Sequence, residues 1–61
     1  MVLGEFLRKL KKPCRITLYI PVMRGETFEF SGDSDKIPME YNKHELKEFQ
    51  VSLDGELKIW I

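Results

Sequence analysis

Few side chains in this sequence are of the types that do covalent or metal chemistry, and they are not grouped. Cys14 is the only cysteine and His44 the only histidine. A redox-active cysteine usually has a second thiol to resolve it, and a lone histidine needs a partner and a pocket to act as a base. Glu40, Glu45 and Glu48 lie near His44 in sequence, but one histidine with surface carboxylates makes a weak metal site. The sequence therefore predicts no catalytic residue, no metal ion and no cofactor, and thus no enzyme.

The composition is typical of one small folded domain spanning residues 1–61. Apolar residues make up 43% of the chain and charged residues 33%, which favours a globule over a disordered segment. No apolar run approaches the roughly 18 residues that a membrane span requires, and Glu5 and a basic run interrupt the start where a signal peptide is apolar. A single cysteine excludes an internal disulfide bond, so we expect a reducing, cytoplasmic location.

Basic and acidic residues are divided between the two parts of the chain. Residues 1–24 contain six basic residues and one acid, whereas residues 25–61 contain nine acids and four lysines. The net charge of zero therefore conceals a basic end and an acidic end. A field of one sign steers the encounter with a partner of the opposite sign, even when the total charge vanishes.

A short amphipathic helix is the first predicted element. Leu3, Phe6, Leu7 and Leu10 have the spacing of one helical stripe, and Pro13 ends the pattern. A helix of about nine residues is not stable alone in water, so it must pack on another element.

Two predicted β-hairpins supply that element. In the first, residues 15–20 and 27–31 alternate between apolar and polar side chains. A three-residue loop over residues 23–25, with Gly25 in the left-handed conformation, would pair Ile20 with Phe28 and Leu18 with Phe30. All four of these apolar side chains would then lie on one face of the hairpin.

The second hairpin has two possible registers. A two-residue turn at Asp54-Gly55 would place the apolar residues of the last strand opposite polar ones. A three-residue loop over residues 53–55 pairs Val51 with Leu57 and Phe49 with Ile59, which keeps one apolar face intact. Because a slip of one residue turns every side chain to the other face, we expect the three-residue loop.

Between the hairpins, one turn of α-helix or 3₁₀ helix is predicted after Pro38. We expect Asn42 to close this turn in the left-handed conformation, and Ile37 and Tyr41 to anchor it to the core. The predicted fold class is therefore α+β, with a short N-terminal helix packed on a four-stranded antiparallel sheet made of two hairpins. The alternative is a small curled β-barrel with a helix.

The sheet face that the helix leaves open is the predicted binding surface. An exposed tryptophan near an exposed tyrosine is typical of protein–protein hot spots. The alternative for Trp60 is that it only covers a neighbouring strand. The predicted function is a non-enzymatic protein-interaction module, whose partner is another protein or a second copy of the chain. The predicted partner-binding residues are Tyr19, Trp60, Arg15 and Lys58.

Nucleic-acid binding through the basic N-terminal helix is the second predicted function. Tyr19 and Trp60 could stack on bases, as aromatic residues of sheet platforms do. The glutamates expected on the same face would, however, repel a phosphate backbone. The residues predicted for this alternative are Arg8, Lys9, Lys12 and Arg15.

Three stretches of the chain carry a resemblance. They are residues 28–32 (Phe-Glu-Phe-Ser-Gly), 37–41 (Ile-Pro-Met-Glu-Tyr) and 57–61 (Leu-Lys-Ile-Trp-Ile). In this order they resemble short uncharacterised proteins encoded by prophages and mobile elements of Gram-positive bacteria. The resemblance implies a regulator or inhibitor that acts by binding a host or phage protein. Its motifs mark turns and anchors, so it implies no catalytic residue.

Overall fold

One short helix, two turns of 3₁₀ helix and four strands make up the fold. The computed structural model describes all 61 residues. In chain order the elements are α1 (Leu3–Arg8), β1 (Arg15–Val22), β2 (Gly25–Asp33), the 3₁₀ turns Ser34–Lys36 and Met39–Tyr41, β3 (Glu48–Val51) and β4 (Leu57–Trp60). The α+β class is confirmed. None of the helical segments has the length and apolar character needed to cross a membrane.

The strands form one open sheet in the order β2-β1-β4-β3. Each hairpin is antiparallel, as predicted, but β1 and β4 are parallel neighbours. The prediction of a purely antiparallel sheet is therefore wrong, and so is the barrel alternative, since β2 and β3 are free edges. The pattern of each hairpin does not specify how the two hairpins join. In the sheet, β4 lies beside β1 with Leu57 and Ile59 buried, whereas the edge strand β3 is exposed throughout.

The core lies between α1 and the two central strands. Its buried residues are Leu3, Ile16, Leu18, Leu57, Ile59 and Ile61. Phe6, Leu7 and Leu10 pack against this cluster, which confirms the predicted helical stripe. The helix ends at Arg8, before the predicted stop at Pro13.

Backbone carbonyls of the segment before β3 hold the start of the helix. The N–H of Leu3 donates to the carbonyl of His44 at 2.8 Å, and the N–H of Gly4 donates to that of Asn42 at 2.9 Å. The first N–H groups of a helix have no partner within it, so these two bonds fix α1 against the connection between the hairpins. We call the side of the sheet opposite α1 the uncovered face. Its central residues are Arg15, Thr17, Tyr19, Lys58 and Trp60.

The first hairpin differs from its predicted register near the loop. Val22 lies opposite Gly25, and Tyr19 lies opposite Phe28, whereas the alternation predicts Ile20 opposite Phe28. Gly25 has a φ of 111°, so the expected left-handed glycine is present. The pairing of Ile20 with Phe28 is wrong, and so is the three-residue loop, because only residues 23 and 24 lie between the two strands.

A β-bulge at Glu29 accounts for this difference. Glu29 has no partner on β1, and beyond it Leu18 lies opposite Phe30, as predicted. A bulge adds one residue to one strand and so turns the following side chains to the other face. Phe28 therefore moves to the uncovered face, while the carboxylate of Glu29 accepts a hydrogen bond from the hydroxyl of Tyr41 at 3.3 Å.

The second hairpin and the central turn follow the sequence more closely. Val51 pairs with Leu57 and Phe49 with Ile59, so the three-residue loop is confirmed. Ile37 and Tyr41 pack against the core, and the predicted turn is the 3₁₀ turn Met39–Tyr41. Asn42 has a φ of −62°, so the predicted left-handed closure is wrong. The N–H of Asn42 donates to the carbonyl of Met39 at 3.0 Å, which closes the turn in the right-handed conformation instead.

Candidate partner-binding surface

Three aromatic side chains form a row across the uncovered face. Phe28 lies opposite Tyr19 on the neighbouring strand, and Tyr19 lies beside Trp60 in the parallel pair. The ring centroids of Tyr19 and Trp60 are 5.5 Å apart with an interplanar angle of 22°, and the rings of Tyr19 and Phe28 meet edge to face at 6.4 Å. Both geometries are favourable for aromatic pairs. We call these three residues the aromatic row.

Trp60 is held at two points. Its ring stacks on Tyr19, and its Nε1–H donates to the carboxylate of Glu26 on β2, so the side chain crosses the intervening strand β1. Covering a neighbouring strand is therefore part of its role. The indole is still half-buried rather than buried, and Phe28 at the end of the row is 60% exposed.

The charged residues of the uncovered face differ in whether they are paired. The Nε of Arg15 lies 3.5 Å from a carboxylate oxygen of Glu56, and the same oxygen accepts a hydrogen bond from the hydroxyl of Thr17 at 3.4 Å. Lys58 lies next to Thr17 in the parallel pair and makes no ion pair. Arg15 and Lys58 therefore flank the aromatic row on one side only, away from the first hairpin loop.

Two carboxylates lie at the ends of the aromatic row without a cation. Glu26 is on β2 beside the row, and Glu48 of β3 lies opposite Trp60. Neither takes part in an ion pair. An unpaired carboxylate at a surface is well hydrated, and it attracts a cationic ligand that approaches the same surface.

The basic residues predicted for nucleic-acid binding do not form one patch. Arg8 and Lys12 line a groove between α1 and the segment that follows β2, together with Lys43 and Asp35. Arg15 belongs to the uncovered face, on the other side of the sheet from α1. The predicted set is therefore divided between two surfaces, which weakens the case for a single phosphate-binding site.

Cys14 and His44 both make contacts that hold neighbouring segments of the fold together. The N–H of Cys14 donates to the hydroxyl of Ser34 at 3.0 Å, which fixes the start of β1. The ring of His44 lies 6.0 Å from that of Tyr41, and its carbonyl receives the first helical N–H. No group of three histidine, cysteine, aspartate or glutamate side chains is placed to hold a metal ion.

Tyr41 joins the helix side of the sheet to the bulge. Partial burial, and then the nearby carboxylate of Glu29, raise the pKa of the Tyr41 hydroxyl above its ordinary value of 10.0. The hydroxyl therefore stays protonated at neutral pH and donates its hydrogen bond to Glu29.

Sequence reasoning found Tyr19 and Trp60 but missed Phe28 and Glu26. The alternation over residues 27–31 places Phe28 in the core, and a bulge leaves no mark in that alternation. Glu26 reaches the row only because Trp60 leans across β1. The one available signal was the number of apolar residues in β2. Only Phe30 packs against the core, so Phe28 is one apolar residue more than the core takes from this strand.

No protein-family model, no curated protein and no solved structure matches the chain. The resemblance to proteins of prophages and mobile elements therefore stays a prediction. Support for a function has to come from the geometry of the uncovered face.

Proposed function

We propose that this protein is a non-enzymatic interaction module that binds a partner protein through the uncovered face of its sheet. The observation that carries the proposal is the aromatic row, in which three stacked or edge-to-face rings lie outside the core. Tryptophan and tyrosine are enriched among residues that dominate binding energy in protein interfaces. A role as a regulator or inhibitor encoded by a mobile element agrees with this mode of action.

The aromatic row is ordered before any partner arrives. Trp60 is restrained by the stack on Tyr19 and by the hydrogen bond to Glu26. Immobilising a free side chain on binding costs about 0.5–1.5 kcal/mol, and a side chain that is already fixed avoids most of that cost. A restrained aromatic surface is therefore a good centre for an interface.

Charged residues form a rim around this centre. Arg15 and Lys58 lie on one side of the row, and Glu26 and Glu48 lie at its ends. A polar rim adds little affinity, but it selects the orientation and the partner. We therefore include Arg15 and Lys58 in the binding surface, as orienting residues rather than as its centre.

Self-association offers a second way for the module to act. Strand β3 is a free edge of the sheet, and its apolar residues Phe49 and Val51 are 53% and 62% exposed. Free edges with exposed apolar side chains favour pairing with another strand. This edge is separate from the aromatic row, so a dimer would leave the row open.

Truncation of Trp60 tests the proposal. We expect Trp60→Ala to bind the partner with an affinity lower by about 30-fold or more, because hot-spot truncations cost at least about 2 kcal/mol. The measurement is affinity capture from a lysate of the source organism, treated with nuclease and followed by titration of the captured protein. Circular dichroism and the thermal midpoint report whether the variant is folded.

Matched variants make the result specific. Phe28→Ser removes another exposed ring of the row and should also weaken binding, whereas Met39→Ala removes an 83% exposed apolar side chain elsewhere and should not. If folded Trp60→Ala and Phe28→Ser both retain the partner at full affinity, the uncovered face is not the binding surface.

A further inference from the structure

The aromatic row is bordered by negative charge that the chain itself does not neutralise. The only two ion pairs of the protein join the N-terminal amine to Glu45 and Arg15 to Glu56. Glu26 and Glu48, at the two ends of the row, are left without a cation. The faces of aromatic rings carry negative potential as well, and they attract Arg and Lys side chains. The charge of this surface is therefore complementary to a cation.

The contacts around Trp60 leave room for such a group. The stack with Tyr19 occupies one face of the indole, so the partly exposed side of the ring is the opposite face. The Nε1–H of Trp60 uses only Oε2 of Glu26, and Oε1 has no hydrogen-bond partner. A guanidinium lying on the open indole face could donate to this free oxygen, which combines a cation–π contact with a charge-assisted hydrogen bond.

The length of the surface matches an extended peptide. Neighbouring strands are about 4.8 Å apart, so the four strands carrying Glu26, Tyr19, Trp60 and Glu48 span roughly 14 Å. In an extended chain, side chains at positions i and i+2 point the same way and are roughly 7 Å apart. One basic side chain could therefore lie over the indole and reach the free oxygen of Glu26, and the next could lie near Glu48 on β3.

A basic partner suits the row better than an acidic one. Lys58 is the one unpaired cation among the central residues of the uncovered face, and Arg15 is compensated by Glu56. An acidic segment laid along the row would meet both unpaired carboxylates at its ends. An acidic ligand would thus be repelled by Glu26 and Glu48, and it would be attracted by Lys58 and the 64% exposed Arg15 on one side of the row only.

We propose that the aromatic row binds an extended basic segment of the partner protein, with two arginine or lysine side chains two residues apart, one over the indole of Trp60 beside Glu26 and one near Glu48. This inference rests on the proposed function and names the chemistry of the partner at the same surface. The cations stack on the aromatic row, and Glu26 and Glu48 select them against neutral and acidic segments.

Titration with short peptides tests this inference, because Trp60 is the only tryptophan and its fluorescence reports directly on the site. The probes are acetylated, amidated Gly-Arg-Gly-Arg-Gly, the same peptide with citrulline for arginine, and the same peptide with glutamate. We expect a saturable change with the arginine peptide and affinities lower by about fivefold or more for the other two. Citrulline keeps the shape of arginine without its charge.

Charge variants locate the binding to the two ends of the row. Glu26→Gln keeps an acceptor for the indole N–H, and both Glu26→Gln and Glu48→Gln should weaken the arginine peptide by about twofold to fivefold. Glu40→Gln, in the second 3₁₀ turn, is the matched control and should leave the affinity unchanged. Equal binding of the arginine and glutamate peptides, or no effect of either variant, would overturn the inference.

The peptide titration and the partner-capture experiment can fail independently of each other. If partner capture depends on Trp60 while the arginine peptide does not bind, the interaction module stands and the basic segment is wrong. If the arginine peptide binds selectively while folded Trp60→Ala retains its partner, the cation site stands and the proposed function is wrong.

Discussion

Asp54 fixes the loop between β3 and β4 by accepting two hydrogen bonds. The hydroxyl of Ser52 donates to its Oδ1 at 2.5 Å, and the N–H of Glu56 donates to the same atom at 3.2 Å. These bonds, the Ser52 hydroxyl first, lower the pKa of Asp54 below its ordinary value of 3.8. The loop that sets the register of the second hairpin therefore depends on the charge of one carboxylate.

Asp54→Asn should make stability depend less on pH. A carboxyl group whose pKa is lowered by folding stabilises the protein above its unfolded pKa, and this stabilisation is lost as the pH falls through the folded pKa. We expect the variant to have a lower thermal midpoint than the wild type at pH 7, and the difference to shrink as the pH falls below the ordinary carboxyl pKa of 3.8. Thermal unfolding from pH 2 to 7 measures it. Asp35→Asn is the control, because it removes an exposed acid that makes no ion pair.

At the scale of single residues, the sequence predicts exposure and burial wherever the alternation is regular. Ile16, Leu18 and Ile59 are buried as expected, and Tyr19 and Trp60 lie on the uncovered face. The sequence could not predict that Trp60 crosses β1, since that depends on the order of the strands. The candidate site was therefore half predictable, through Tyr19 and Trp60 but without Phe28 and Glu26.

Both hairpin loops depend on a glycine with positive φ. Gly25 has a φ of 111° and Gly55 a φ of 89°, and an added Cβ at either position would meet no atom within 4 Å. Substitution at these positions therefore tests backbone conformation alone, without a steric contribution from neighbouring side chains.

Gly55→Ala should destabilise the protein by about 1–2 kcal/mol, because left-handed backbone is unfavourable for residues with a Cβ. Asparagine tolerates this conformation better, so Gly55→Asn should cost less than alanine. Denaturant unfolding followed by circular dichroism measures both free energies. Equal destabilisation by alanine and asparagine would contradict a purely conformational origin. Gly25→Ala should behave like Gly55→Ala.

At the scale of elements, the two hairpins and the helix were predictable because each has a periodic apolar face. The register of the second hairpin was predictable because it places Val51 and Phe49 on the same face of the sheet as Leu57 and Ile59. The order of the strands was not predictable from either hairpin alone. It depends on how the two hairpins join, with β1 paired to β4 rather than to β3.

Basic and acidic residues lie on different surfaces of the molecule as well as in different parts of the chain. Arg8, Lys9 and Lys12 are exposed on or just after α1, whereas Glu26 and Glu48 border the aromatic row on the other side of the sheet. A long anion such as single-stranded RNA cannot contact the helix and the aromatic row without passing around the sheet edge. This arrangement favours two independent surfaces over one nucleic-acid platform.

Binding to a single-stranded oligonucleotide should therefore be weak and nearly unaffected by Lys12→Glu. The measurement is fluorescence anisotropy of a labelled oligonucleotide over a series of salt concentrations, with Lys36→Glu as the control. Each phosphate contact contributes about 0.7 to the slope of log affinity against log salt. A steep slope that Lys12→Glu reduces, and Lys36→Glu does not, would support the nucleic-acid alternative instead.

The central position of β4 has a consequence for how the chain folds. Three of the six buried apolar residues, Leu57, Ile59 and Ile61, belong to the last five positions, and β4 joins the first hairpin to the second. Contacts between β1 and β4 close a loop of about 40 residues, so the contact order is high for so short a chain. The core lacks half of its buried side chains until residues 57–61 have been synthesised. Folding should therefore be a single cooperative step after these residues are synthesised, without a stable intermediate built from the first hairpin.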